Sequence, residues 1–245
     1  MRVALALVLL ATFAPAAQKK VLVYTKNGKG YVHENIATSV EAIRSLGAQN
    51  GFAVDASDDP KVFTPGNLKQ YNAIVFSNSN NEGFDTDAQR EAFKKYVQAG
   101  GGVVGIHIAT GTERQWPYFA AVMGGRFVRH PKLQRFTVTV KDRTHPATKG
   151  LPPAFEWEDE CYLFDRINPS IKVLLTADPS KIDDPKRTET PAEYPLSWYN
   201  TYDGGRQYYI ALGHKKEHYA EPLFRQQVLG GILWAMREKS KGSSN

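Results

Sequence analysis

Gly100-Gly101-Gly102-Val103-Val104-Gly105-Ile106-His107-Ile108-Ala109-Thr110-Gly111 joins a glycine run to a short apolar run and a histidine. The apolar run is too short for a helix, so it reads as a buried parallel strand. His107 follows where such a strand hands over to a loop. In open α/β sheets ligands bind outside the carboxyl ends of strands, which makes His107 a candidate site residue. A nucleophile elbow would place Ser or Cys here between small residues; this chain offers an imidazole. The plainer alternative is a hydrogen-bonded histidine that caps a strand end.

Outward from this strand, apolar strands alternate with amphipathic helices. Val21-Leu22-Val23-Tyr24, Phe52-Ala53-Val54 and Ala73-Ile74-Val75-Phe76 read as strands, Ile36 to Ala48 as a helix stopping at Gly51, and Thr86 as the cap of a helix through Val97. That alternation implies βαβ units and a parallel sheet covered on both faces. The second half is less regular. Trp116 to Met123 looks helical, and Arg135 to Val140 alternates like an exposed or edge strand. Trp157 to Phe164, Ile171 to Ala177 and Gln207 to Leu212 read as further strands, and Leu223 to Arg237 as the closing helix. Asp178 to Pro195, rich in Pro, Asp, Lys and Thr, reads as a surface excursion or lid.

At 245 residues, 42% hydrophobic and 23% charged, the chain suits one large soluble α/β domain. Arg2, the apolar stretch Val3 to Phe13 and Ala14-Pro15-Ala16 have the form of a cleaved secretory signal, with a non-cleaved anchor as the alternative. The expected organisation is a signal over residues 1–17, the domain over 18–238 and a disordered tail over 239–245, with a periplasmic or secreted destination. No stretch reaches the ~20 apolar residues of a membrane span. The net charge of +6 is dispersed and never interleaved with aromatic residues, which argues against nucleic acid as partner. Cys161 is the single cysteine, so no internal disulfide can form, and it reads as buried.

Polar groups recur at strand ends. His33 lies in Tyr31-Val32-His33-Glu34-Asn35, Asn78 in Ser77-Asn78-Ser79-Asn80, and His214 ends Tyr208-Tyr209-Ile210-Ala211-Leu212-Gly213-His214. Singly, His33 could be a helix-cap contact and the Asn/Ser run a turn. Three of the six histidines at carboxyl ends of strands suggest one shared site. Such imidazoles either bind a borderline metal such as zinc, or shuttle protons. Glu156-Trp157-Glu158-Asp159-Glu160 offers either an acid/base carboxylate or a solvated edge. His130-Pro131 is ambiguous, whereas His145-Pro146 looks structural. Trp198, Tyr199, Tyr202, Tyr208 and Tyr209 could include a sugar-stacking platform, though aromatics at strand spacing more often form core.

Together these residues resemble the ThuA-like family, named for trehalose utilisation. The matching pieces are Tyr31-Val32-His33-Glu34, Gly105-Ile106-His107, Gly124-Gly125-Arg126-Phe127 with His130-Pro131, and His145-Pro146 with Gly150-Leu151. Asp159-Glu160-Cys161-Tyr162, Pro195 with Trp198, Gly205-Arg206, Leu212-Gly213-His214 and Trp234-Ala235 complete an ordered series. The resemblance implies a flavodoxin-like three-layer αβα sandwich with a mostly parallel sheet, of the class I glutamine amidotransferase-like kind. In that parent fold the elbow carries Cys and a later strand delivers His-x-Glu. Here His107 stands at the elbow, and Lys216 stands where the glutamate would follow His214, so glutaminase activity is excluded.

The resemblance also implies a sugar-processing enzyme, a lyase or hydrolase acting on keto-glycosides or disaccharides. A ketone acidifies the neighbouring sugar C–H, so a base plus an electrophile for the enolate could expel the glycosidic substituent. His107, His214 and Glu160 are the candidate catalytic groups. His33, Asn78, His130, Trp198 and Arg206 are candidate substrate contacts, and His33, His107 and His214 candidate ligands for zinc or manganese. Gly28-Lys29-Gly30 lacks the rest of a nicotinamide fingerprint, so NAD is not expected. The rival reading is a non-catalytic carbohydrate-binding protein using the same pocket. An apolar strand edge near Phe136 to Val140 could pair two copies into a homo-oligomer.

Overall fold

A computed structural model of the chain describes residues 18–188 and 191–236. The expected signal over 1–17 and the tail over 239–245 lie outside the described residues. In chain order the elements are β1 (Lys19–Tyr24), α1 (Ile36–Asn50), β2 (Phe52–Ser57), α2 (Pro65–Leu68), β3 (Ala73–Ser77), α3 (Asp87–Gln98), β4 (Gly102–Ile106) and α4 (Pro117–Met123). There follow β5 (Arg126–Arg129), β6 (Gln134–Val140), β7 (Ala154–Asp159), β8 (Leu163–Asp165), β9 (Lys172–Ala177), β10 (Tyr194–Tyr202), β11 (Gly205–Ile210) and α5 (Pro222–Ala235).

Nine strands form one sheet in the order β2-β1-β3-β4-β11-β10-β9-β6-β7, while β5 and β8 pair in a separate ribbon. Parallel pairings join β2, β1, β3, β4 and β11. Antiparallel pairings add β10, β9, β6 and β7, so seven of the nine strands run in one direction. This is the expected α/β fold with a large, mostly parallel sheet.

The parallel strands are apolar at successive positions because helices cover both faces. In β1, Val21 and Val23 enter the core that holds Ile43 of α1 with Val228 and Ile232 of α5; Leu22 and Tyr24 enter the core that holds Phe93 of α3 with Phe119 of α4. The Thr86 side chain accepts from the Gln89 N–H and Gln89 reciprocates, the capping box that starts α3. The glycine run ahead of β4 has a packing reason. A Cβ on Gly102 would lie 2.5 Å from the Ala235 carbonyl oxygen at the end of α5.

The structure differs from the sequence reading in three places. First, β6 is no edge: it pairs with β7 on one side and β9 on the other, which removes it as an edge for pairing two copies. Its alternation records one uncovered face, with Phe136, Val138 and Val140 inward and Arg135, Thr137 and Thr139 exposed. The sheet edge on that side is β7. Second, the excursion from Asp178 ends before Pro195, because β10 begins at Tyr194 and is the longest strand. Pro195 and Ser197 sit at register shifts, where a missing N–H is tolerated and the alternation that would have marked the strand is broken. Third, the single strand read over Trp157 to Phe164 is broken after Asp159 into β7 and β8, and β8 pairs in a separate ribbon with β5, whose residues Arg126–Arg129 have no apolar run to mark them.

Candidate functional site

The carboxyl ends of β4 and β11, the loop after β1 and the turn after β7 converge. β4 ends at Ile106 and the chain swings into a 3-10 turn over His107–Gly111. His107 takes φ +55, the left-handed region that costs a non-glycine residue roughly 1 kcal/mol or more. The backbone therefore has the elbow geometry, with an imidazole on it. After β11, Gly213 takes φ +120 and delivers His214.

His107 is fully buried. Its Nδ1 lies 2.7 Å from the Ala211 carbonyl oxygen, which can only accept, so the ring proton sits on Nδ1 and the Nε2 lone pair faces the cluster. At Nε2 meet the Tyr162 hydroxyl at 2.7 Å, His33 Nε2 at 3.2 Å and Glu160 Oε2 at 3.6 Å. Glu160 Oε2 also lies 3.3 Å from His214 Nδ1, off the hydrogen-bonding direction, and Oε1 lies 3.6 Å from His130 Nε2. One potential ligand atom from each of His33, His107, Glu160 and His214 falls within 4.8 Å of all the others.

Protonation is set by this crowding. Burial, then the neighbouring His107 and His214, push His33 down from 6.5 to about 3, so it is neutral at ordinary pH. Burial would raise Glu160, but the contacts with His107 and His214 outweigh it and hold the carboxyl well below its usual range. Contact with Glu160 raises His214, against the opposing effect of burial. Nδ1 of His33 and Nδ1 of His214 are buried without a hydrogen-bond partner. Three imidazoles, two of them with an orphaned nitrogen, and one ionised carboxylate are a donor set that fits a divalent ion of the zinc or manganese kind.

Three of the cluster, His33, Glu160 and His214, line an open cleft of about 540 Å³ together with Tyr31, Asn80, Asn81, Arg114, Phe127 and His130, while His107 is fully buried and does not reach that lining. A neighbouring cleft of about 390 Å³ shares Tyr31, His33 and His214 and runs along Lys215 and Lys216. Lys216 itself pairs with Glu34 at 3.1 Å.

Of the residues singled out in the sequence, His33, His107, His214 and Glu160 meet, and His130 joins at the cleft wall. Asn78 lies fully buried outside the cleft lining, donating to the Tyr219 hydroxyl at 2.8 Å and accepting from Asn35 at 3.2 Å. Trp198 is core: it is fully buried and its Nε1 donates to the Met123 carbonyl at 2.8 Å. Tyr208 and Tyr209 are buried too, the core alternative of the reading, and Tyr199 and Tyr202 are half-buried; none of the five lines the cleft. Arg206 pairs with Gly102 at the start of β4, the end of the sheet away from His107. Sequence reasoning assigned no role to Arg114, Asn35 or Asp159. Asn35 donates to the Gly213 and His214 carbonyls at 2.6 and 2.8 Å, tying the His33 loop to the His214 turn. Cys161 is buried, as expected. Among the described residues no helix is long and apolar enough to cross a membrane.

The sequence profile of ThuA, described as trehalose utilisation, matches residues 20–235. A ThuA-like protein of Bacteroides uniformis superposes with a TM-score of 0.76 at 26% identity, covering 95% of this chain and 97% of that one. Another from Parabacteroides merdae gives 0.70 at 22% identity, with 93% of each chain covered. A Thermoplasma acidophilum protein described as part of a GMP synthase gives 0.53 at 14%, covering 89% of this chain and 94% of that one. The last two likenesses speak for the fold alone. No curated protein matches the chain.

Proposed function

The chain belongs to the ThuA family, and on that premise we propose that it is a metal-assisted sugar-processing enzyme, a lyase or hydrolase acting on keto-glycosides or disaccharides. The observation that carries this reading is the convergence of His33, His107, His214 and Glu160, three of which line an open cleft. A divalent ion held by these four would supply Lewis-acid stabilisation of an enolate or carbonyl oxygen.

The other roles fall to residues around it. Were His107 and His214 to hold the ion, proton transfer would fall to His130. Its Nδ1 lies 2.7 Å from the Pro131 carbonyl, which fixes the ring proton there and leaves Nε2 as a base at the cleft wall. His130 takes the proton from the carbon beside the ketone, and the electrons released expel the glycosidic oxygen. The Ala211 carbonyl holds the His107 ring from behind through Nδ1, and the Tyr162 hydroxyl lies against Nε2 on the cluster side. The convergence of titratable groups at the cleft favours an enzyme over a purely binding role.

The test uses a 4-nitrophenyl 3-ketoglucoside and follows nitrophenol release by absorbance, with metal-free and zinc- or manganese-loaded protein. Release that requires the ion and falls about a hundredfold or more in His130→Gln is the expected result. Loaded protein that leaves the glycoside intact contradicts the reading.

A further inference from the structure

Arg114 lines the same cleft as Glu160 and His214, seven residues after the elbow, and its guanidinium is held only by neutral oxygens. Nε donates to Asn81 Oδ1 at 3.0 Å, Nη2 to Asn80 Oδ1 at 3.2 Å and Nη1 to the Phe127 carbonyl at 3.2 Å. The head group also rests over the Phe127 ring, 5.3 Å from its centroid. Arg90, Arg126 and Arg129 each pair with a carboxylate, whereas Arg114 has none within ion-pair reach among the described residues. The charged side chain beside it is another cation, Arg126, already engaged with Asp165. Burial, then Arg126, lower the proton affinity of Arg114, the signature of a cation without its counter-charge.

A guanidinium carries five N–H groups, two on each terminal nitrogen and one on Nε. Three are used, so each terminal nitrogen keeps one. Glu160 is the single carboxylate in the cleft lining, and it is turned onto three imidazoles. Half-buried, rigidly held and with donors to spare, Arg114 is built to receive an anion from outside the chain.

We propose that Arg114 is the specificity-determining residue for a carboxylate on the substrate, so that the sugar processed here carries an acid group, as a uronic or aldonic acid does. The planar fork matches a planar two-oxygen acceptor. A phosphate, with more charge, would call for a second cation, and the cleft lining holds no other Lys or Arg. The inference rests on the cleft being the sugar site proposed above.

The test measures binding by calorimetry to metal-free protein, using glucuronate, glucose, glucose 6-phosphate and lactate as probes. Wild type, Arg114→Gln and Arg114→Lys are compared, each checked for cooperative unfolding, because the side chain also braces Asn80, Asn81 and Phe127. Wild type is expected to hold glucuronate about tenfold or more tighter than glucose, Arg114→Gln to lose that preference and Arg114→Lys to keep part of it. Equal binding of glucose and glucuronate, a preference for glucose 6-phosphate, or a preference that survives Arg114→Gln would overturn the assignment. Lactate bound as tightly as glucuronate, and lost in Arg114→Gln, would keep the carboxylate site and remove the sugar reading. Zinc titration of the same samples reports on the metal centre separately.

Discussion

Asp159 and Gly213 are joined by a 2.8 Å hydrogen bond from the Gly213 N–H to Asp159 Oδ2, and each stands one residue before a member of the site, Glu160 and His214. The same fully buried carboxylate accepts from Trp157 Nε1 at 3.1 Å and, through Oδ1, from the Glu160 N–H at 2.8 Å. One side chain from the end of β7 thus fixes the spacing of two members of the cluster that lie far apart in sequence.

Asp159→Asn keeps the shape but sets an amide where a carboxylate accepted. Loss of about 2–3 kcal/mol of stability is expected in urea unfolding, together with zinc affinity weakened about tenfold or more. Unchanged zinc affinity in the folded variant would show that Asp159 does not position the ligands.

Gly213→Ala tests the turn that delivers His214. At φ +120 a side chain is strained, and its Cβ would lie 2.8 Å from the Phe224 ring. A loss of about 2 kcal/mol or more is expected from the denaturant midpoint. A neutral substitution would mean that the turn is free to rearrange.

Stability of the metal-free protein should fall with acid in a defined window. His33 is pushed down to about 3 in the folded chain, against 6.5 when solvated. Between those values the unfolded chain takes up a proton that the folded chain refuses, so this contribution is full above pH 6.5 and lost progressively toward pH 3. The depressed Glu160 carboxyl acts in the same sense at lower pH. Urea unfolding across this range should give a visibly flatter slope for His33→Gln; an identical slope would remove His33 as the source.

Cys161 should be chemically silent in the native state. Burial pushes its thiol up to about 12, so little thiolate exists at pH 8. A thiol reagent should label the native protein far more slowly than the urea-unfolded chain. Rapid native labelling would place the sulfur in contact with solvent.

The parallel half of the sheet was legible because strands buried on both faces leave apolar runs between helix caps, as in Val21-Leu22-Val23-Tyr24 and Gly102-Val103-Val104-Gly105-Ile106. The antiparallel wing was less so. β10 mixes Pro195, Ser197 and Asn200 with Trp198, and its register shifts erase a simple period. The histidines were legible by their place at strand ends, and Glu160 by its acidic run. Trp198 misled because an aromatic at strand spacing looks alike in a core and on a binding face. Arg114 left no signal, since its meaning lies in what it lacks, a carboxylate partner, and only three dimensions show that.

The most direct measurement is the metal content of the purified protein after reconstitution with zinc or manganese and removal of free ion, beside the His107→Ala, His214→Ala double variant. About one ion per chain in the wild type, and almost none in the folded variant, is the predicted result. A wild type that retains no ion, or a variant that retains as much, would contradict a shared metal centre at His33, His107, Glu160 and His214.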